Sequence, residues 1–380
     1  MEFKTYRFDE VTINFDKKRV PLSGSQREKR RGTYRYYGAQ GVIDYIDDYI
    51  FDGTYLLIAE DGENLKSKKQ NIAQIATGQF WVNNHAHIVQ GNELCDTRFL
   101  CYLLNSMDLS GHVTGSAQPK LSQANLNAVT ITIPDISVQR KIVEYLYSID
   151  QKIETNQRIN DNLQQQAYAY FLQLFVENAD PSWRVGTIAD LGTVVGGGTP
   201  SKAKPEYYTE DGIAWITPKD LSIDKSKFIA RGENDISELG YRNSSATMMP
   251  AGTVLFSSRA PIGYIAIASN EVTTNQGFKS VVPHPEIGTP FVFYFLIHNL
   301  PLIESKASGS TFKEVSGSVM KSVEAVIPDG DTIAKFNNFC RPIFEMQEKL
   351  EQENRKLAAM RDSLLPRLMS GEIDVADIGA

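Results

Sequence analysis

The sequence predicts an α+β protein with two β-rich α/β lobes and two long helices, the second half of the chain repeating the first. Three observations point there. Residues 136–175 form a stretch of about forty residues without Pro or Gly; Ile142, Leu146, Ile149, Ile153, Asn156, Asn160, Leu163, Ala167, Tyr170 and Leu174 alternate spacings of four and three, the period of a coiled-coil seam. Residues 331–369 are a second such run, and an offset of 194 lays Ile149 on Ile343, Asn160 on Asn354, Leu163 on Leu357, Tyr170 on Leu364 and Leu174 on Leu368. The same offset carries Gly115-Ser116 onto Gly309-Ser310, Ser122 onto Ser316 and Pro134-Asp135 onto Pro328-Asp329. A repeat this long is a duplicated domain pair and not a solenoid.

The division read from this pattern is a lobe at 1–135, a helical region at 136–182, a second lobe at 183–328 and a second helical region at 329–380. A chain of 380 residues, 42% hydrophobic, suffices for two or three domains with real cores. The net charge of −7 argues against a nucleic-acid binder until it is divided. Residues 1–135 hold 15 basic and 16 acidic side chains and residues 183–328 hold 13 and 14, so both lobes are near neutral. The acid excess lies in the helical regions, 4 basic against 6 acidic and 7 against 10. A local footprint matters more than the total. Cys95, Cys101 and Cys340 have no CxxC spacing, which points to reduced thiols and a cytoplasmic location. With no signal peptide and no apolar run of about 18 residues, neither secretion nor membrane spanning is expected.

The first lobe opens on a basic stretch: Lys17, Lys18, Arg19, Arg27, Lys29, Arg30, Arg31 and Arg35 stand against one acid, Glu28, with Tyr34, Tyr36 and Tyr37 interleaved. Cations beside flat rings suit a phosphate backbone and exposed bases. A solvated loop ahead of a strand explains them too. Strand-like runs follow at 41–50, 55–60 and 80–89, and the loop at 61–71 carries Lys66, Lys68 and Lys69. Asn83, Asn84, His85 and His87 gather in the third run; they suit base edges, or simply a hydrogen-bonded turn. Residues 97–109 read as a short amphipathic helix, and Gln118 and Lys120 lie in the Gly-Ser motif.

The second lobe begins WRVGTIADLG at Trp183, echoing YRFDEVTINF at Tyr6. Its polar loops present Thr199, Ser201, Lys202 and Lys204 after a triple glycine at 196–198, then Lys219, then Ser257, Ser258 and Arg259. Asn275, Gln276 and Lys279 follow, with Thr311 and Lys313 in the second Gly-Ser motif. Asn275 and Gln276 fall on Asn84 and His85 at an offset of 191, and residues 291–299 match 97–109 as a helix. Arg259 and Lys279 suit a guanine edge and Gln276 an adenine edge. Asn160 and Asn354, at equivalent seam positions, would fix helix register at some cost in stability.

Catalytic patterns do not hold. The triple glycine lacks the Lys-Ser/Thr ending and following helix of a phosphate loop, since Pro200 and Pro205 interrupt it. His85 and His87 can share a strand face, but no Cys or carboxylate at ligand spacing accompanies them, and Gln276 and Phe278 replace them in the second lobe. Pro134-Asp135 with Asp150 and Lys152 mimics a metal-nuclease pattern, yet that pair lies mid-helix on different faces. No Asn/Asp-Pro-Pro-Tyr tetrapeptide and no Ser/His/Asp or Cys/His arrangement emerges. Two lobes and a spacer without chemistry look like a binding ruler.

At this point the sequence resembles a DNA-specificity subunit of a type I restriction–modification system. The residues that carry the resemblance are IAEDGENL at 58–65, FWVNNHAHIV at 80–89, GSAQPKLSQANLNAVTITIP before the first helix, GGGTPSKAKPEYY with WITPKDL, LFSSRAPIGYIAIA at 255–268, TNQGFKS at 274–280 and LLPRLMSGEI at 364–373. The resemblance implies two target recognition domains, each reading one half of a split, asymmetric site in double-stranded DNA. It also implies two conserved helices packed as an antiparallel coiled coil, giving a spacer and pseudo-two-fold symmetry. The subunit would be non-catalytic and hold no cofactor of its own. Two methyltransferase subunits, using S-adenosylmethionine, would dock on it, and two restriction subunits with ATP- and Mg-dependent translocase and nuclease activity would complete the complex. Two alternatives remain: a specificity subunit of a fused methyltransferase–nuclease system, and a scaffold bridging two proteins, against which the basic-aromatic stretch argues.

Overall fold

The computed structural model describes residues 2–67, 70–115, 118–259, 261–309 and 313–375. It is mixed α/β, with two sheet-rich bodies and a long helix between them in the sequence. Its two compact units cut across the four segments read from the sequence. One combines residues 1–152 with 356–380 and the other is 153–355, so each takes one lobe and a part of both long helices.

In the first unit, Phe3–Arg7 pairs antiparallel with Thr130–Pro134. A six-stranded sheet follows in the spatial order Thr12–Asn14, Ala86–Gly91, Phe51–Ala59, Ala73–Val82, Arg31–Gly38, Gly41–Ile46. The run expected as one strand at 80–89 is two strands, because the Asn83 side chain accepts the His85 N–H at 2.8 Å and turns the chain. The run expected at 41–50 ends at Ile46, where Asp47 turns to Arg30. Helix Thr97–Ser106 starts where Asp96 Oδ1 accepts the N–H groups of Arg98 and Phe99 at 2.8 and 3.1 Å, an N-cap. It buries Phe99, Leu100, Leu103 and Leu104. The same core takes Ile142, Val143 and Leu146 from the first long helix and Leu368 and Met369 from the second.

In the second unit, Arg184–Thr187 pairs antiparallel with Glu324–Ile327. Four strands, Gly192–Gly196, Lys279–Pro283, Val254–Phe256 and Ile265–Ala268, stand in the spatial order of the first four strands of the other lobe's large sheet. The lobes part in what is added. The first has the hairpin Arg31–Gly38 and Gly41–Ile46; the second has Phe228–Ile229 at the sheet edge and a separate four-stranded sheet. Helix Thr289–His298 is apolar on all sides, with residues 291–296 all buried, as a helix covered on every face must be.

The first long helix is Ile136–Leu172, closing in a wider π turn at Gln173–Glu177. The second, Gly330–Met369, continues through Pro342 and Pro366. Within the second unit, Asn156 Nδ2 donates to Glu353 Oε2 and to Asn354 Oδ1, each at 2.8 Å. Gln347 Nε2 donates to the Asn160 carbonyl at 3.0 Å, and the Phe171 ring lies 5.8 Å from Phe336. Partner numbers thus fall as residue numbers rise. Asn160 and Asn354, at equivalent positions, take different partners: Asn354 meets Asn156, and the Asn160 carbonyl meets Gln347. Ile142, Leu146 and Leu368 are fully buried, but Leu163 and Leu357 are only half-buried. Among the described residues no helix is long and apolar enough to cross a membrane.

Candidate nucleic-acid interface

In the first lobe three loops meet at one end of the sheet. The chain leaving Phe51–Ala59 pairs with the turn at 83–85 through Glu60 N–H to His85 O, 2.9 Å, and with the Gly-Ser hairpin through Leu121 N–H to Glu60 O, 2.8 Å. Isolated bridges join Lys120 to Asp61 and to Thr114. On this frame His85 Nδ1 lies 2.7 Å from Asp61, Lys120 Nζ 3.3 Å from Glu60, and Lys66 Nζ donates to Gly115 O at 2.9 Å. Asn84, His85, Gln118 and Lys120 are exposed. Behind them lies a buried ionic group. His87 is 1% exposed; its Nδ1 is 2.6 Å from Asp16 Oδ2 and its Nε2 2.8 Å from Leu121 O. Both ring nitrogens face acceptors, an arrangement that favours the imidazolium. Burial disfavours that charge, but the bonds to Asp16 and Leu121 outweigh it and raise the pKa. Burial likewise pushes the Asp16 carboxyl up, and His87, the Ile88 N–H and Arg19 bring it below its ordinary value. Arg19 closes the group, with Nη1 2.9 Å from Glu60 and 2.8 Å from Ala86 O.

The second lobe repeats the three-loop meeting with other side chains. Ser258 N–H donates to Gly277 O at 2.7 Å and Val315 N–H to Ser258 O at 2.9 Å. Bridges join Glu314 to Arg259 and to Ser308. Thr199 Oγ1 donates to Gln276 Oε1. Asn275 Oδ1 accepts the Gly277 N–H at 2.8 Å. The triple glycine is a close-approach device: a Cβ on Gly197 would stand 2.0 Å from Asn275 O and one on Gly198 2.3 Å from Ala246 N. Gly198 also accepts from Trp215 Nε1 at 2.9 Å, so the glycines press their loop onto the turn at 274–277.

The remaining candidates scatter. The basic run at 17–35 is not one patch. Arg27 is paired with Asp44 at 2.9 Å and Arg30 with Asp47 at 2.9 Å, each guanidinium also over a ring, Tyr36 and Trp81. They sit near the far end of the strand Arg31–Gly38, roughly 20 Å from the three-loop meeting at about 3.3 Å per residue. Arg35 donates to Thr77 O, and Tyr37 is packed against Phe80. Tyr34 lies 5.1 Å from Tyr49. Lys17, Lys18, Lys29 and Arg31 are exposed and make no salt bridge among the described residues. In the second lobe Ser201, Lys202 and Lys313 are exposed; Lys204 rests on Tyr207, and Lys219 pairs with Glu233. His87, Ser257 and Ser258 are sealed in the interior, and Tyr37 and Asn83 nearly so, which leaves them little or no surface for a ligand. Lys68, Lys69 and Thr311 lie outside the described residues.

Sequence reasoning missed the acids. Glu60, Asp61 and Glu314 stand at the centre of the two clusters, yet a search for cations and amides passes over them. The available signal was position: Lys120 and Glu314 share the offset of the Gly-Ser motifs with opposite charge.

A family model described as type I restriction modification DNA specificity domain matches residues 1–165 and 181–352. The MjaIX specificity subunit of Methanocaldococcus jannaschii is 38% identical over 177 residues, 46% of this chain and 41% of that protein. The HindI specificity subunit of Haemophilus influenzae is 24% identical over an alignment of 416 residues, 88% of this chain and 87% of that one. The chain thus covers less than half of the first relative and most of the second. The crystal structure of a type I restriction–modification S subunit from M. genitalium aligns with a TM-score of 0.63 at 15% identity, covering 97% of this chain and 96% of that one. It is a likeness of fold.

Proposed function

The chain belongs to the type I restriction–modification DNA specificity family, and from that premise we propose that it reads a bipartite, asymmetric site in double-stranded DNA, one half with each lobe. The observation that carries this reading is the pair of three-loop clusters, alike in backbone and different in side chains. Like frames with unlike side chains suit two targets of unlike sequence. Exposed Asn84, His85, Gln118 and Lys120 would face one half-site, and Arg259, Gln276 and Lys279 with Lys202 and Lys313 the other. Bidentate Arg–guanine and Gln–adenine contacts would carry the discrimination. The long helices would act as an antiparallel coiled coil that fixes the gap between half-sites.

The chemistry would reside on partners: two methyltransferase subunits with S-adenosylmethionine, and two restriction subunits with ATP and Mg. The helical regions, acid-rich by 6 to 4 and 10 to 7, suit protein docking better than phosphate contact.

The test is selection of a randomised bipartite duplex library by the assembled methyltransferase complex. Gln276→Ala is expected to relax one half-site by about fivefold or more and to leave the other and the gap unchanged. Changes in both halves would refute independent reading. Salt dependence separates backbone contact from base reading. Neutralising Lys17, Lys18, Lys29 and Arg31 is expected to weaken all sequences alike and flatten the slope of log K against log salt by about 0.9 for each phosphate they no longer neutralise. An unchanged slope would mark these residues as solvated surface and favour the protein-bridging scaffold.

A further inference from the structure

The carboxylate of Glu314 lies between two of the cations assigned above to base reading. Its Oε2 is 2.9 Å from Arg259 Nε and its Oε1 3.5 Å from Lys279 Nζ. The backbone sets this up, since Glu314 bridges both Arg259 and Ser308. Arg259 is 46% exposed and approaches Glu314 most closely at Nε, its terminal nitrogens making no hydrogen bond to a described residue. A guanidinium held at Nε keeps its forward N–H groups for a ligand, the geometry that guanine O6 and N7 require.

The first lobe has the same two bridges with the charges exchanged. There the hairpin base is the cation Lys120 and the loop end it bridges is Asp61, with Glu60 beside it. The frame thus takes either polarity, and its sign is a choice made separately in each lobe.

We propose that Glu314 is a positioning residue for sequence reading: it aims Arg259 at one base pair of the second lobe's half-site, and the hairpin-base charge is a specificity determinant in both lobes. This rests on the DNA-reading function above. A half-exposed ion pair adds little to stability, so its effect belongs in base preference and not in melting.

The experiment selects a randomised bipartite duplex library with the assembled complex carrying Arg259→Ala, Glu314→Gln, Glu314→Asp or the exchange Arg259→Glu with Glu314→Arg, and records each melting temperature. Arg259→Ala identifies the base pair concerned. Glu314→Gln is expected to lower discrimination at that same base pair about tenfold, with the first lobe's half-site and the melting temperature unchanged. Glu314→Asp, which keeps the charge, is expected to retain most of the preference and serves if the Gln variant folds poorly. The exchanged pair is expected to select a different base pair at that position. Two results overturn the proposal: Glu314→Gln leaving unchanged a position that Arg259→Ala alters, or the exchanged pair restoring the original preference, as a purely structural pin would. Failure of the unaltered complex to select any sequence would instead defeat the DNA-reading function itself.

Discussion

Replacing Phe336 by alanine is expected to destabilise the second unit by about 3–5 kcal/mol, the cost of emptying a closed aromatic site. Phe336 projects from the second long helix and has no exposed surface. Its ring centre lies 5.2 Å from Phe175, 5.8 Å from Phe171 and 6.1 Å from Tyr170 on the first helix and its closing turn, and 6.0 Å from Tyr294 on helix Thr289–His298. Three elements thus lean on one side chain, and none can collapse into the space without pulling away from another neighbour. Phe339, three residues on, supplies the control. It is 40% exposed although its ring is 4.6 Å from Tyr170, so its alanine variant is expected to cost less than half as much. Urea titrations of the two variants decide this; equal costs would mean that the buried ring has no special weight.

Lys227→Met is expected to stabilise the protein at pH 7 and to lose that advantage as the pH approaches 10. The Lys227 ammonium is almost wholly buried, 4.2 Å from the centre of the Phe344 ring, 4.9 Å from Phe293 and 5.3 Å from Tyr294. Gln347 Oε1 accepts from it at 2.5 Å and Tyr294 Oη at 3.3 Å. Burial pushes its pKa down to about 7 from 10.5, and the Glu351 charge opposes this only in part. The folded-state pKa is therefore below the unfolded one. Between pH 7 and 10.5 the unfolded chain binds more protons, so this group makes stability rise with pH. The penalty is complete below about pH 7 and, at about 1.36 kcal/mol per unit, approaches 5 kcal/mol before the rings offset part of it. A gain of about 1–4 kcal/mol for the methionine variant at pH 7 is expected. Glu351 does not cancel this. Burial raises its pKa, so its effect has the opposite sign, with stability falling as pH rises from the ordinary carboxylate range. Thermal unfolding of both proteins from pH 6 to 10 checks the sign. A destabilised variant at pH 7 would show that the aromatic cage favours the charge.

What was legible in the sequence was what repeats over distance. The long helices were visible because their apolar spacing persists for ten turns or so, far beyond chance. The turns at Asn84 and Asn275 were found by their shared setting, and both lie in the three-loop clusters. What failed depended on partners remote in the chain. Asp44, Asp47 and Asp48, which engage Arg27 and Arg30, come from a neighbouring strand and its turn. His87 looked like a surface donor because Asp16, which holds it inside, is seventy-one residues away. The 194-residue offset identifies equivalent residues, whereas contact depends on which way the partner helix runs; Asn354 is equivalent to Asn160 and touches Asn156.

The division of the two units has a consequence for synthesis. The second unit is one continuous segment, 153–355, while the first needs residues 356–380 as well as 1–152. A chain made from its N-terminus therefore completes its later lobe first. The earlier lobe waits, with the places of Leu368 and Met369 in its core unfilled, until those two residues leave the ribosome. A chain cut short between residues 356 and 368 would accordingly wound the lobe made first and spare the one nearest to the cut.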